Sequence, residues 1–216
     1  MKIAIIGAGN VGRALATTFT RAGHQVVVAS HDPEHADGVA VATGSKAATS
    51  AAEAAARSDL VVLAIPFSSV MEVAAQIRDA VVGKPVVDVT NRMSFGPNGI
   101  ETDTSSSNAE EIAALLPGAH VIKALNTLFA SNQSEPILDG VQLDAFVAGD
   151  DASAKAMVID LVESIGLNPI DVGALARARQ LEAMAFLNIA LQMANHGAWR
   201  SGWKLVGAPS TLAVAA

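Results

Sequence analysis

The chain has 216 residues, 51% of them hydrophobic and 16% charged, which is enough apolar sequence for a sizeable core and for one domain with an appendage. Its formal net charge is −7 with no basic cluster, so nucleic acid is excluded as an expected partner. There is no cysteine, which excludes disulfides and thiolate metal sites, and no apolar run reaches the roughly 18 residues of a membrane span.

In chain order, Lys2 to Ile6 is a short apolar run that predicts a buried strand. A strand so early leaves no room for a signal peptide, and a cytoplasmic protein without a membrane is expected. Gly7, Gly9 and Gly12 follow with the spacing G-x-G-x-x-G. Val11 to Ala22 keeps apolar positions at Leu15, Phe19 and Ala22, which is helical spacing, and Gln25 to Ala29 is a second β-branched run. The glycines therefore lie between strand and helix in a βαβ unit, the context a dinucleotide requires. Gly7 permits the tight turn, Gly9 the approach of a pyrophosphate, and Gly12 close helix–strand packing. The helix start, with Asn10 and Val11, offers free N–H groups and a positive dipole end to the anion.

The second strand ends at Ala29-Ser30-His31-Asp32, where the adenosine ribose is expected. A carboxylate at position 29 or 30 would accept from both ribose hydroxyls and repel a 2′-phosphate, and it is absent. Ser30 is a small hydroxyl donor and His31 can carry positive charge, which favours NADP(H) over NAD(H).

Pro33 to Ala42 reads as a weak helix or loop, Lys46 to Ala48 as an edge strand, and Thr49-Ser50 as the start of an alanine-rich helix to Arg57. Asp59 to Ile65 and Lys84 to Val89 are buried-strand patterns, separated by a helix that Ser68-Ser69 should cap. Asn91 to Asp103 reads as a polar loop. Ser107 and Glu110 form a capping box before Ile112, Leu115 and Leu116. Strands are expected at 121–125, 141–148 and 168–172, with a polar loop over 126–136 and a helix ending at Ile165. The alternation predicts an α/β fold, a Rossmann-type doubly wound parallel sheet with a small C-terminal helical part. We divide it as residues 1–150, the dinucleotide-binding domain, and 151–216, a helical part completing the acceptor site and a dimer interface. The helix expected over 175–195 is apolar nearly all round in its second half, with Asn188, Gln192 and Asn195 on one stripe. That stripe reads as core amides, or as the lining of a cleft or interface. The tail "HGAWRSGWKLVG" is expected to dock on a second subunit of a homodimer.

Ligands of open α/β sheets bind beyond the carboxyl ends of the strands. The residues there, besides the glycine loop and Ser30-His31, are Ile65-Pro66-Phe67, Asn91-Arg92 and Asn126-Thr127. Pro66 and Phe67 suit the nicotinamide ribose or ring, although Phe67 also reads as plain packing. Asn91 and Asn126 suit an amide or carbonyl of a ligand, and Asn126 equally a turn. Asn91 is assigned to the cofactor, and Asn126, Thr127 and Asn188 to a small-molecule redox acceptor. No Ser-His-Asp set and no metal pair is apparent, and His24, His120 and His196 read as structural. Only Lys123, inside its strand, offers a possible general acid near the crevice. No catalytic residue is therefore assigned. Hydride transfer between two flat redox rings needs positioning rather than a proton donor.

The chain resembles the F420-dependent NADP oxidoreductases along nearly all of its length. The resemblance rests on "IGAGNVGRALA", "ASHDP", "VVLAIPF", "SSSNAEEIAALLP", "VIKALNT", "VAGDDASAK" and "NHGAWRSGWKLVG". It implies a compact, usually dimeric Rossmann protein that exchanges a hydride between NADP(H) and a deazaflavin, coenzyme F420. The chain departs from the family's pattern with His31 in place of a common arginine, Phe67 in place of a frequent tryptophan, and Asn126 in place of a histidine. These departures keep two alternatives open: reduction of a flavin, quinone or metal chelate, and an NADPH-binding redox sensor.

Overall fold

A computed structural model describes residues 1–96, 99–101 and 105–207. The first unit is strand Lys2–Ile6 (β1), helix Asn10–Arg21 (α1) and strand Gln25–Ala29 (β2). Helix Pro33–Thr43 (α2) follows, with Asp32 as its cap. Next come Lys46–Ala47 (β3), Ala51–Ala56 (α3) and Leu60–Leu63 (β4). Helix Val70–Ile77 (α4) starts without the expected cap, since Ser69 makes no side-chain bond to it, and strand Pro85–Asp88 (β5) closes this half.

Within the expected loop after β5, Ser94–Gly96 (β6) pairs antiparallel with Gly99–Glu101 (β7), while residues 97, 98 and 102–104 lie outside the described ones. Helix Asn108–Leu115 (α5) carries the predicted capping box. After His120–Lys123 (β8) the stretch read as loop holds a short helix, Ala130–Ser134 (α6). Ile137–Leu138 (β9) and Val141–Gln142 (β10) form a small hairpin, so the strand expected from 141 begins only at Asp144–Gly149 (β11). Helix Ala152–Ser164 (α7), strand Asn168–Gly173 (β12) and helix Ala178–Ala194 (α8) are the last of these elements among the described residues.

The eight-stranded sheet has the order β12-β11-β8-β5-β4-β1-β2-β3. Its ladders are parallel except where β11 meets β8. Because strand side chains alternate, Ile3 and Ile5 pack with Leu15 and Phe19 on one face, while Ala4 and Ile6 pack with Ala54, Val70 and Ile112 on the other. Helices thus cover both faces, as a parallel sheet requires. Residue 150 falls inside this architecture: α7 buries Val158, Leu161 and Val162 in the same core, and β12 extends the same sheet.

This end of the chain combines a partly exposed apolar helix with a tail held by contacts within the chain. Helix α8 buries Leu181, Ala185 and Phe186 but leaves Leu187, Leu191 and Met193 53%, 49% and 49% exposed. The tail docks on its own chain. Ser131 donates to the Trp199 carbonyl at 2.7 Å, Asn132 to that of Ser201 at 2.8 Å, and the Lys204 ammonium meets Asp144 at 2.7 Å. Trp199 sits edge-on to Phe129, with centroids 5.3 Å apart. Among the described residues, no helix is long and apolar enough to cross a membrane, and no cluster of potential metal ligands occurs.

Candidate functional site: the crevice at the switch point

The chain runs from β1 outward to β2 and β3, then returns to β4 on the other side of β1. This reversal opens a crevice beyond the carboxyl ends of β1 and β4. Gly7 turns there with φ of 115°, and a Cβ at this residue would lie 2.1 Å from the Ala64 carbonyl oxygen. A Cβ at Gly12 would lie 1.9 Å from the carbonyl oxygen of Gly7, so this glycine sets how closely α1 packs. Gly9 differs: a Cβ there meets nothing within 4 Å. Its role is therefore not internal packing, and the open space lies at the amino end of α1, where the first backbone N–H groups lack helical partners.

Around this loop the structure brings together most of the expected residues. Ile65 flanks Gly7, with its Cγ2 3.2 Å from where a glycine Cβ would stand. Ser30 is half-buried at the end of β2, and His31 is exposed beside it. The carboxylate of Asp32 is turned onto α2, accepting from the Glu34 and His35 amides at 3.0 and 3.4 Å. It caps that helix, so no acidic side chain stands at the strand end itself. Pro66 is exposed and Phe67 half-buried, with the Arg92 guanidinium 5.7 Å from the Phe67 ring centre.

A cavity of about 170 Å³ adjoins the glycine helix. Val11, Asn91, Asn126, Thr127, Phe129, Gln133 and Asn188 are among its lining residues. The Asn91 and Asn126 side chains are locked together: Asn126 Nδ2 donates to Asn91 Oδ1 at 2.9 Å, and Asn91 Nδ2 to the Asn126 carbonyl at 3.2 Å. Asn126 Nδ2 also reaches the Leu181 carbonyl of α8 at 3.1 Å. The preceding Leu125 has φ of 63°, a left-handed backbone that costs a leucine roughly 1–2 kcal/mol. Gln133 holds this strained turn by donating to the Leu125 and Leu128 carbonyls at 3.2 and 3.4 Å. With both amides thus oriented, Asn126 Oδ1, Gln133 Oε1 and Thr127 Oγ1 are buried without a hydrogen-bond partner. Such atoms cost roughly 1–3 kcal/mol each and are retained mainly where function uses them. Asn188 donates to the Ser201 carbonyl at 3.2 Å and Gln192 to the Ser201 hydroxyl at 2.8 Å, so the α8 stripe captures the tail while Asn188 also reaches the cavity. A larger concavity, of about 600 Å³, lies near the opposite end of the strands beside Lys2, His24 and Lys46, away from all of these residues.

Lys123 does not line the cavity. It is fully buried, and its ammonium meets Asp88 at 2.8 Å, the Thr90 carbonyl at 2.6 Å and Glu182 at 2.7 Å. Three donors meet three acceptors, so nothing remains to protonate a substrate. Burial pushes the Glu182 carboxyl above the usual carboxylate range, with the nearby Lys123 charge opposing the shift. Sequence reasoning missed Asp88, Glu182 and Gln133. The signal for the first two was charged residues within or against buried strands, which demand partners.

A glycine loop at the switch point of a doubly wound sheet, joined to an amide-lined cavity, defines a dinucleotide-binding protein of the Rossmann class. The family model for coenzyme F420-dependent NADP oxidoreductase matches residues 2–92. The F420-dependent NADP reductase of Methanothermobacter thermautotrophicus is 34% identical over 211 residues, covering 90% of each chain. Metalloreductase STEAP3 of Rattus norvegicus is 33% identical over 184 residues, which are 85% of this chain but 36% of that protein. A solved structure from Arthrobacter sp. fb24, provisionally named an F420-dependent NADP reductase, superposes with a TM-score of 0.82 at 30% identity, covering 92% of this chain and 96% of that one. The chain belongs to the F420-dependent NADP oxidoreductase family, a family of NADP-dependent oxidoreductases.

Proposed function

We propose that this protein exchanges a hydride directly between NADP(H) and a planar deazaflavin of the coenzyme F420 type. The observation that carries the proposal is the cavity lining: among the described residues it holds apolar side chains, amides and one hydroxyl, and no titratable group. Bound NADP(H) supplies or takes the hydride. Gly7, Gly9, Asn10, Val11 and Gly12 hold the pyrophosphate, and the open space at Gly9 is the fit that supports this. Ser30 and His31 receive the 2′-phosphate, since Asp32 is occupied with its helix. Ile65, Pro66, Phe67 and Asn91 flank the nicotinamide end. Asn126, Thr127 and Asn188 form the acceptor side. The free oxygens of Asn126, Thr127 and Gln133 suit the N–H donors of a carboxamide or of an imide edge on a planar ring. These residues position two rings and exclude water, and none is required to move a proton.

Turnover of NADPH and NADH with a panel of a deazaflavin, a flavin, a quinone and a ferric chelate tests this reading. Loss of the deazaflavin's visible absorbance with NADPH is expected. Preference for NADH overturns the role of Ser30 and His31. Turnover of another acceptor alone, or binding without turnover, replaces the deazaflavin reading by the reductase or sensor alternative.

The exposed Leu187, Leu191 and Met193 of α8 support a homodimer that covers this face. A dimer mass at micromolar concentration is expected, and a monomer mass overturns it.

A further inference from the structure

We infer that Glu182 and Lys123 are positioning residues for the acceptor side of the crevice, acting through the Asn91–Asn126 pair. The inference rests on the reading of that pair as part of the ring-holding wall. Asp88 ends β5 and Lys123 ends β8, and each stands three residues before one of the paired asparagines. The two strand exits are tied together by the buried ammonium, which bonds both Asp88 and the Thr90 carbonyl. Glu182 adds the third element. Its Oε1 accepts from Lys123 and from the Asn108 amide at 2.9 Å, and its Oε2 accepts from the Arg92 amide at 3.3 Å.

Asn91 is therefore clamped from both sides along the chain: Thr90 by Lys123 and Arg92 by Glu182. Asn126 is clamped by Asn91 and by the carbonyl of Leu181, the residue before Glu182. One turn of α8 thus sets both amides. Apolar residues filling the same volume are often as stabilising as a buried ion cluster. What they lack is directed bonds to Thr90, Arg92 and Asn108, and those bonds aim the asparagines. Since a ring displaced by about 1 Å costs on the order of 100-fold in rate, such aiming has kinetic weight.

The test is a double-mutant cycle with Glu182→Gln, Asn126→Ala and the pair, read by deazaflavin turnover, NADPH affinity, and the side-chain NH2 resonances of Asn91 and Asn126. Glu182→Gln is expected to shift those resonances, to lower kcat about tenfold while NADPH affinity stays within about twofold, and to cost less than about twofold more once Asn126 is already alanine. If Glu182→Gln fails to fold, the triple variant Lys123→Met, Asp88→Asn, Glu182→Leu removes the charges together and is read in the same way. Unmoved NH2 resonances, or losses that multiply across the cycle, overturn the inference. If the wild-type protein reduces no deazaflavin, the proposed function fails, and the resonances alone decide the positioning role.

Discussion

Gly9→Val is expected to leave the fold intact and to weaken NADPH binding at least 100-fold, about 2.7 kcal/mol. A Cβ at Gly9 meets no atom within 4 Å apart from its chain neighbours, so the added side chain points into the open space assigned to the pyrophosphate. Gly12→Val is expected to fail differently. Its Cβ would stand 1.9 Å from the Gly7 carbonyl oxygen, which is backbone and cannot turn aside. Helix α1 would have to leave β1, at a cost above roughly 3 kcal/mol, the upper end of ordinary overpacking. Thermal melts and NADPH titration of both variants separate the two roles. Unchanged NADPH affinity in folded Gly9→Val contradicts the cofactor assignment.

Lys123→Met is expected to produce a large loss of stability without any steric clash. Methionine fills much of the volume but leaves Asp88 and Glu182 buried without their counter-ion. Breaking a buried pair in this way costs roughly 3–5 kcal/mol, a large share of the roughly 5–15 kcal/mol that holds a domain folded. Adding Asp88→Asn and Glu182→Leu should recover much of that loss, because the penalty lies in the uncompensated charge. Urea unfolding measures both. A loss under about 1 kcal/mol for Lys123→Met alone contradicts the account of the cluster.

The glycine loop and its two flanking strands were legible in the sequence because their information is local. Period-2 and period-3.6 patterns, interrupted by glycine at fixed spacing, specify a βαβ unit within some 30 residues. The capping box at Ser107 and Glu110 is local in the same sense, and the structure contains it. The Lys123 cluster was not legible, since its partners stand 35 and 59 residues away in the chain. Only the sheet order, which brings β5 beside β8 and lays α8 over them, makes them neighbours. The tail's partners within the chain were not legible for a related reason. An apolar helix and two tryptophans announce burial without saying against what, and Asn132, Asn188 and Gln192 capture the segment within the chain. Gln133 was passed over inside a stretch read as loop, although its amide braces the Leu125 turn.

Under the proposed function, the protein holds two rings together and handles no hydrogen itself. NADPH carrying deuterium at nicotinamide C4, mixed with the protein and a deazaflavin in ordinary water, tests it most directly. The label is expected on the deazaflavin product, at C5. Label recovered only in the solvent, or a sharp break in the pH–rate profile traced to one side chain, would show that a protein group carries the hydrogen and would contradict the account.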